Sequence, residues 1–289
     1  MTYAAEASIR VNGQDEPLIA GTLAAGNGGT GLASPGTSGN VLTSNGSAWT
    51  STAISSPSRI TALDANHIHA WELNDASGNF ADTGASAAPV NLTATSTPLY
   101  GAPGIAGSCV QFGYDDVGSA NSSYGTALIS AFVDLPTTAC TLEMWYCPDV
   151  ISSGASLAGA WDTANAINFA IDAASTTSLE QTVRATSFKN GSSGALHNPL
   201  APGVWHHVAL TYDVATGFCL LYVDGEVVNK QTGQAGSINW SNGTTPSFRV
   251  GVRGTVSNPW IGRISRVRLS NIARSQTYLR GVYRTGMGF

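Results

Sequence analysis

An Asp-Gly pair set between apolar runs constrains this chain more than any other feature. Residues Pro202 to Lys230 read PGVWHHVALTYDVATGFCLLYVDGEVVNK. His206–Asp213 and Phe218–Val223 are β-rich runs joined by Val214-Ala215-Thr216-Gly217, and Glu226–Lys230 follows directly after Asp224-Gly225. A two-residue hairpin of type I′ needs positive φ at both central residues, which Asp-Gly tolerates. Phe218–Val223 is apolar on both faces, with Phe218, Leu220 and Tyr222 on one and Cys219, Leu221 and Val223 on the other. Such a strand is covered on both sides, as in the middle of a sandwich.

Composition agrees. Charged residues make up 11% of the chain, well below the usual level of about a quarter. Ala/Leu/Glu/Lys blocks at helical spacing are missing, so an all-β fold is expected. The 289 residues are enough for one large β domain and an appendage. A formal net charge of −5 makes no case for nucleic-acid binding. No apolar run approaches the ~20 residues of a membrane span, so no membrane insertion is expected. The N-terminus lacks a basic region followed by an apolar one, so no signal peptide is expected either. Cys109, Cys140, Cys147 and Cys219 show no metal-type spacing and read as reduced, packed side chains. Acidic residues end at Glu226, whereas Arg249, Arg253, Arg263, Arg266, Arg268, Arg274, Arg280 and Arg284 follow. Antiparallel sheets interleave distant segments, so acids on neighbouring strands are expected to balance these arginines. The alternative is a basic face for an anionic glycan or a partner subunit.

The chain divides at about residue 58. From Gly21 it runs GTLAAGNGGTGLASPGTSGNVLTSNGSAWTSTAISSPS, with too few apolar residues to offset its ordering entropy alone. Residues 1–58 are therefore expected to be an extended arm held by a domain, by other copies or by a larger assembly. From Arg59 strand-like runs take over: Cys109–Phe112, Thr141–Cys147, Asn168–Ile171, Thr182–Thr186, the opening stretch, Phe248–Val252 and Trp260–Leu269. Ile264 and Val267–Leu269 cannot share one face of a regular strand, so a bulge is expected nearby. Ser152–Ala160 reads as a small-residue loop leading to Trp161. Ser275 is expected to cap a short helix with Leu279, Val282 and Tyr283 on one side.

Two resemblances follow. The series Gly26–Leu32, then Ser34–Gly46, closing with Ala48-Trp49, resembles a module of bacteriophage tail-fibre and related virion proteins. In the arm it picks out Gly28, Gly29, Leu32, Pro35, Val41, Leu42 and Trp49 as assembly residues. The resemblance implies attachment to other virion proteins and a homotrimer. Residues 60–284 resemble the laminin-G-like, or concanavalin A-like, jelly-roll family. The landmarks are Trp71-Glu72-Leu73 with Asp82, Gly104–Phe112, Leu142–Cys147 with Trp145, and Pro202–Tyr212. They continue with Leu221–Gly225, Val250-Gly251, Trp260–Ile264 and Val267–Leu269. That family implies a two-sheet antiparallel jelly-roll sandwich over 59–289. Ser265-Arg266 departs from the pattern, since relatives usually carry acidic residues there.

Candidate chemistry is sparse. Retaining glucanases of this superfold need two carboxylates about 5 Å apart, most simply on alternate residues of one strand. Glu143 is followed on its face by Trp145 and Cys147, so no catalytic residue is assigned and no enzyme is expected. His67 and His69 alternate and could share a face, whereas His206 and His207 point oppositely, and no zinc site is expected. Calcium at a rim is the expected cofactor, if there is one: Asp115, Asp116 and Asn121 offer hard oxygen ligands, as do Asn74, Asp75 and Asp82, although ordinary turns use the same residues. For a glycan, exposed aromatic faces beside polar groups are needed. Tyr100, Tyr114, Tyr124, Trp161, Trp240 and Trp260 lie in loop-like stretches, and the expected ligand residues are Trp240, Trp161, Asp162, Tyr114 and Tyr124. The expected function is a virion tail-fibre or receptor-binding component, assembled in the host cytoplasm, that recognises a host-surface glycan without cleaving it. The alternative is a structural capsid or tail decoration protein.

Overall fold

A computed structural model describes residues 8–11, 14–17, 40–44, 47–53, 62–113, 122–150, 153–162, 167–173, 178–184, 189–194, 201–241, 243–254 and 259–288. The chain divides into two units, Met1–Ser58 and Arg59–Phe289. The first holds two hairpins. β1 (Ser8–Val11) pairs with β2 (Gln14–Pro17), and β3 (Asn40–Ser44) pairs with β4 (Trp49–Ala53). Trp49 is exposed. Val41 and Leu42 lie in β3, and Gly28, Gly29, Leu32 and Pro35 lie outside the described residues.

The second unit is a sandwich of two antiparallel sheets. Its strands are β5 (His67–Trp71), β6 (Thr93–Thr95), β7 (Leu99–Pro103), β8 (Ser108–Phe112), β9 (Tyr124–Leu128), β10 (Ala139–Val150), β11 (Ser156–Trp161) and β12 (Ile167–Ala173). They continue with β13 (Leu179–Arg184), β14 (Lys189–Gly194), β15 (His206–Asp213), β16 (Phe218–Val223), β17 (Glu226–Gln231), β18 (Ser247–Val250) and β19 (Ile261–Ser270), and helix α1 (Gln276–Met287) follows. The first sheet runs β17-β16-β15-β10-β19-β8-β7, with β5 also on the β19 edge. The second runs β14-β13-β12-β11-β18-β9-β6. This is a jelly-roll sandwich of the expected all-β class.

The Asp-Gly turn forms as its chemistry requires. Asp224 and Gly225 have φ of 54° and 79°, the I′ signature. The Asp224 carboxylate accepts from the His207 backbone N–H at 2.9 Å and meets His206 Nδ1 at 2.8 Å, which locks the turn to β15. β16 is covered on both faces. Cys219, Leu221 and Val223 enter the main core, while Tyr222 and Leu220 pack with Ala209 under Leu279 of α1. α1 begins at Ser275, whose hydroxyl accepts the Tyr278 N–H, and it buries Leu279 and Val282. A side chain at Gly286 would overlap the Trp145 indole, so glycine lets the helix lie this close to β10.

The expected bulge is in β19. The register against β10 shifts between Glu143 and Trp145, and Arg266 takes a positive φ of 57°. Val267 and Leu269 thereby join Ile264 in the core. β11 corrects an expectation: Ser156–Trp161 is a buried strand, not a loop. Pairing with β12 on one side and β18 on the other overrides the weak β propensity of Ala158-Gly159-Ala160. Its small side chains suit close approach, since a Cβ on Gly159 would overlap the backbone of β12. The late arginines are balanced from afar: Arg253 by Asp172, Arg263 by Asp149, Arg266 and Arg268 by Glu72, Arg274 by Asp64, and Arg280 by Glu226. All four cysteines are free and buried.

Candidate functional site

The outer faces of the two sheets are chemically unlike. On the first, beneath α1, Glu143 is only 1% exposed. His67 Nε2 lies 3.3 Å from its Oε1, His207 Nε2 lies 3.4 Å from its Oε2, and the Tyr278 hydroxyl donates to Oε1 at 3.4 Å. His67 Nδ1 lies 3.0 Å from both the backbone N–H and a carboxylate oxygen of Asp64, and the Arg274 guanidinium approaches both ring nitrogens. Burial alone would push the Glu143 carboxyl up, but the histidine contacts and the Arg268 charge hold it well below the usual carboxylate range. Glu143 is thereby held as a buried anion that ties helix to sheet.

On the second sheet strand alternation produces a different cluster. Phe169, Ile171 and Ala173 of β12 enter the core, which turns Ala170 and Asp172 outward. Phe248 and Val250 of β18 face in, so Ser247 and Arg249 face out. Register then sets Asp172 opposite Ser156 of β11 and Glu180 of β13. Directly opposed side chains on a sheet have Cβ atoms about 5 Å apart. Asp172 is 1% exposed. Its Oδ2 accepts from Arg253 Nη2 at 3.2 Å. Arg249 Nη1 donates to the carbonyls of Arg253 (2.9 Å) and Gly254 (2.6 Å), which holds the loop that carries Arg253. The Arg249 guanidinium also lies 5.6 Å from the centre of the Tyr124 ring.

This face carries unmet polar capacity. Arg249 Nε, Arg253 Nε and Trp161 Nε1 are buried, with no hydrogen-bond partner among the described residues, as are Glu143 Oε2, Trp145 Nε1 and His207 Nδ1 on the first sheet, while the Ser156 hydroxyl lies against the Asp172 carboxylate. Buried polar atoms are nearly always partnered by protein or water, so such open atoms mark places for ordered water or a polar ligand. Burial, and then the facing Glu180, push the Asp172 carboxyl up to about 6 although Arg253 and Ser156 pull it down. The Tyr124 ring lies by Arg249, three strands from Asp172.

The residues expected from sequence fall differently. Tyr124 is half-buried in β9, on this face. Trp161, at the end of β11, is fully buried and packs on Ala170. Trp240 is 4% exposed, donates Nε1–H to the Pro136 carbonyl at 2.7 Å and packs against Phe169. Neither indole is the exposed platform that was expected: Trp240 packs into the main core, and Trp161 is buried on the outward side of the second sheet against Ala170. Trp260 is core as well, and Tyr100, in β7, donates its hydroxyl to the Gly78 carbonyl. Asp162 is buried, its carboxylate against the backbone at Gly243, where a side chain would overlap it. Tyr114, Asp115, Asp116 and Asn121 lie outside the described residues. The Asp82 carboxylate is taken up by turn chemistry: it accepts from the backbone N–H groups of Ala70, Gly84 and Val90 and from His69 Nδ1, at 2.6–3.0 Å.

His67 and His69 do not share a face. A register irregularity at the β5–β19 pairing sends His67 to Glu143 and His69 towards Trp71 and Phe132. Among the described residues no three His, Cys, Asp or Glu side chains are grouped to hold a metal. Sequence reading missed Asp172 and Glu180, and met Arg249 and Arg253 only among the late arginines of the alternative basic face. Asp172 sits inside Asn168-Phe169-Ala170-Ile171-Asp172, where alternation signalled an outward carboxylate; the cross-strand register that brings Glu180 and Ser156 to it had no local signal.

An antiparallel sandwich whose sheets are linked in this order is a concanavalin A-type fold. The chain belongs to the concanavalin A-like lectin/glucanases superfamily, whose laminin-G-type family matches residues 121–279, more than half of its length. No curated protein matches the sequence. Among solved structures, the receptor binding domain of a botulinum neurotoxin mosaic serotype C/D superposes with a TM-score of 0.55 at 9% identity, covering 77% of this chain and 51% of that one. The binding domain of Paraclostridial Mosquitocidal Protein 1 gives 0.53 at 13%, covering 76% and 52%. A carbohydrate-binding module (CBM40) of the Ruminococcus gnavus IT-sialidase, bound to α2,3-sialyllactose, gives 0.45 at 19%, covering 51% and 83%. The chain spans about half the length of the two toxin domains. At these identities the likeness is one of fold.

Proposed function

We propose that the protein is a bacteriophage virion component, of tail-fibre or receptor-binding type, whose sandwich recognises a host-surface glycan without cleaving it. The observation that carries recognition is the outer face of the second sheet, where Arg249 and Arg253 leave buried Nε–H groups unpartnered and Arg249 lies 5.6 Å from the half-buried Tyr124 ring. Sugars satisfy such atoms through dense hydroxyls while stacking on rings. A neurotoxin's receptor binding domain among the fold's relatives is consistent with a recognition role. The virion half rests on the series from Gly26 to Trp49 in the arm, with homotrimer formation and attachment to other virion proteins as its consequences. Calcium at Asp115, Asp116 and Asn121 belongs to the same proposal.

Binding without cleavage rests on Glu143, the carboxylate at the family's strand position, which is closed beneath α1. The purified protein should bind a subset of glycans on an array and adsorb to host cells, with EDTA weakening adsorption if calcium takes part. Shortened products from a bound glycan would overturn the binding-only reading. Deleting residues 1–58 should leave a folded sandwich that no longer enters particles. A second reading, a decoration protein that makes protein contacts, is favoured by the interior placement of Trp161 and Trp240. Absence of glycan binding together with contacts to capsid or tail subunits would select it.

A further inference from the structure

A surface on the outer face of the first sheet supplies the open aromatic platform that Trp161 and Trp240 do not. Five of the six tryptophans in the sandwich are at most 4% exposed. Trp205 is only half-buried. Among the described residues its one ring contact is the Arg263 guanidinium, 5.5 Å from the ring centre. We propose that Trp205, Arg263 and Asp149 form a subsite for a neutral sugar, which stacks on the indole and bridges the two charged side chains through a hydroxyl. The inference rests on the glycan-recognition reading but uses none of the residues of the second sheet.

Strand alternation assembles the platform. Asp149 follows Trp145 and Cys147 on the outward side of β10, while Leu142, Met144 and Tyr146 enter the core. Arg263 and Gln111 alternate with the core residues Ile264 and Val110, and register sets Arg263 between Cys147 and Gln111. The Gly203 N–H donates to the Pro148 carbonyl at 2.7 Å, which brings the segment carrying Trp205 to the end of β10.

Three features point to a sugar. First, the two charges are held apart by other partners. Arg263 Nη2 donates to Cys147 Sγ at 3.0 Å and Nη1 to the Pro103 carbonyl at 3.3 Å, while Asp149 Oδ2 accepts from Gln111 Nε2 at 2.7 Å. Asp149 Oδ1 is left 3.9 Å from Arg263 Nη2, beyond hydrogen-bond distance. A hydroxyl, donor and acceptor at once, sits beside both. Second, the site is open as the fold stands. The Arg263 and Asp149 side chains are 21% and 26% exposed. Val150 and Val204, 49% and 45% exposed, add apolar surface for the C–H face of a sugar ring. Third, the local charge is balanced. Burial pushes the Cys147 thiol up against the pull of Arg263, so the sulfur is neutral and Asp149 is the acid that answers the guanidinium. A carboxylate-bearing sugar would be repelled by Asp149 as much as drawn to Arg263.

The test is a titration of the full chain with neutral and with sialylated or uronate-containing oligosaccharides, on arrays, by calorimetry and by indole fluorescence. Neutral members should bind and shift the emission, and Trp205→Phe should remove the shift. Trp205→Ala should weaken binding by about tenfold. Asp149→Asn and Arg263→Gln should each cost a few-fold, and Val133→Ser, in the loop before β10, should bind as wild type. Unchanged circular dichroism of Trp205→Phe and Asp149→Asn separates lost contact from lost fold. If Tyr124→Ala abolishes binding while Trp205→Ala leaves it intact, or acidic glycans bind best, the subsite is wrong while glycan recognition stands. If Trp205→Ala disperses a self-associated chain without changing sugar binding, the surface joins copies of the protein and the subsite is again wrong. If the wild type binds no glycan of either class, glycan recognition itself fails.

Discussion

Two acids, Glu143 and Asp172, are each about 1% exposed, and each lies on the outer face of a sheet. They are otherwise opposites. Glu143 has a histidine within 3.4 Å of each oxygen and a tyrosine hydroxyl on Oε1, although Oε2 makes no hydrogen bond among the described residues, and its carboxyl is held low. Asp172 has one guanidinium on one oxygen, the Ser156 hydroxyl against it, an acid opposite, and a carboxyl pushed up to about 6. Burial raises both; partners decide the sign. Two histidines and Arg268 offset burial at Glu143, whereas Glu180 adds to it at Asp172.

Breaking the first acid should produce the largest effect. Glu143→Ala is expected to destabilise the fold by about 2–4 kcal/mol in urea unfolding, because His67, His207 and Tyr278 lose their common partner in a buried position. A loss below about 0.5 kcal/mol would show that the network contributes little. The opposite sign is expected at the second acid. Asp172→Asn should stabilise by about 1–3 kcal/mol near neutral pH, since the folded state disfavours the charged carboxylate. Destabilisation by D172N would mean that the Arg253 ion pair outweighs burial.

The pH dependence sharpens the contrast. Glu143, and Asp64 through its pairing with Arg274, are depressed in the fold. Their stabilisation is present above their ordinary values near 4–4.5 and is lost as pH falls below them. Asp172 is raised from 3.8 to about 6, so its penalty is absent below pH 3.8 and grows as pH rises to about 6. The stability gap between D172N and wild type should therefore widen between pH 4 and 6 and then level off, whereas the gap for Glu143→Gln should shrink on acidification below pH 4.5. A D172N gap that stays flat over that window would reject the raised value.

Ser275→Ala should cost about 1 kcal/mol, the usual worth of a helix cap, and loosen the lid over Glu143. The smallest effect is expected at Arg280 and Glu226, which meet at 2.6 Å but in solvent. Arg280→Gln should leave the thermal midpoint unchanged, because water screens an exposed pair whatever its geometry.

The hairpin at Asp224-Gly225, the two-faced strand Phe218–Val223, the bulge near Arg266 and the Ser275 cap were all legible, because turn residues, alternation and capping act over a few neighbours. The same local signals placed Glu143 and Trp145 on one face of β10, and Leu142 and Met144 on the other. They misjudged β11, where alanine and glycine carry no strand signal and two flanking strands impose the pairing. They also misjudged Trp161 and Trp240, since the covering of an aromatic depends on which distant segment lies over it. Sequence by itself determined the sheet class, the turn that sets register on β15–β16, and the residues available to each face. Only the tertiary structure decided which buried acid would be satisfied, because Glu143 draws its partners from β5, β15 and α1, and Asp172 faces β11, β13 and the loop after β18. Those meetings are set by strand order and register across the whole domain.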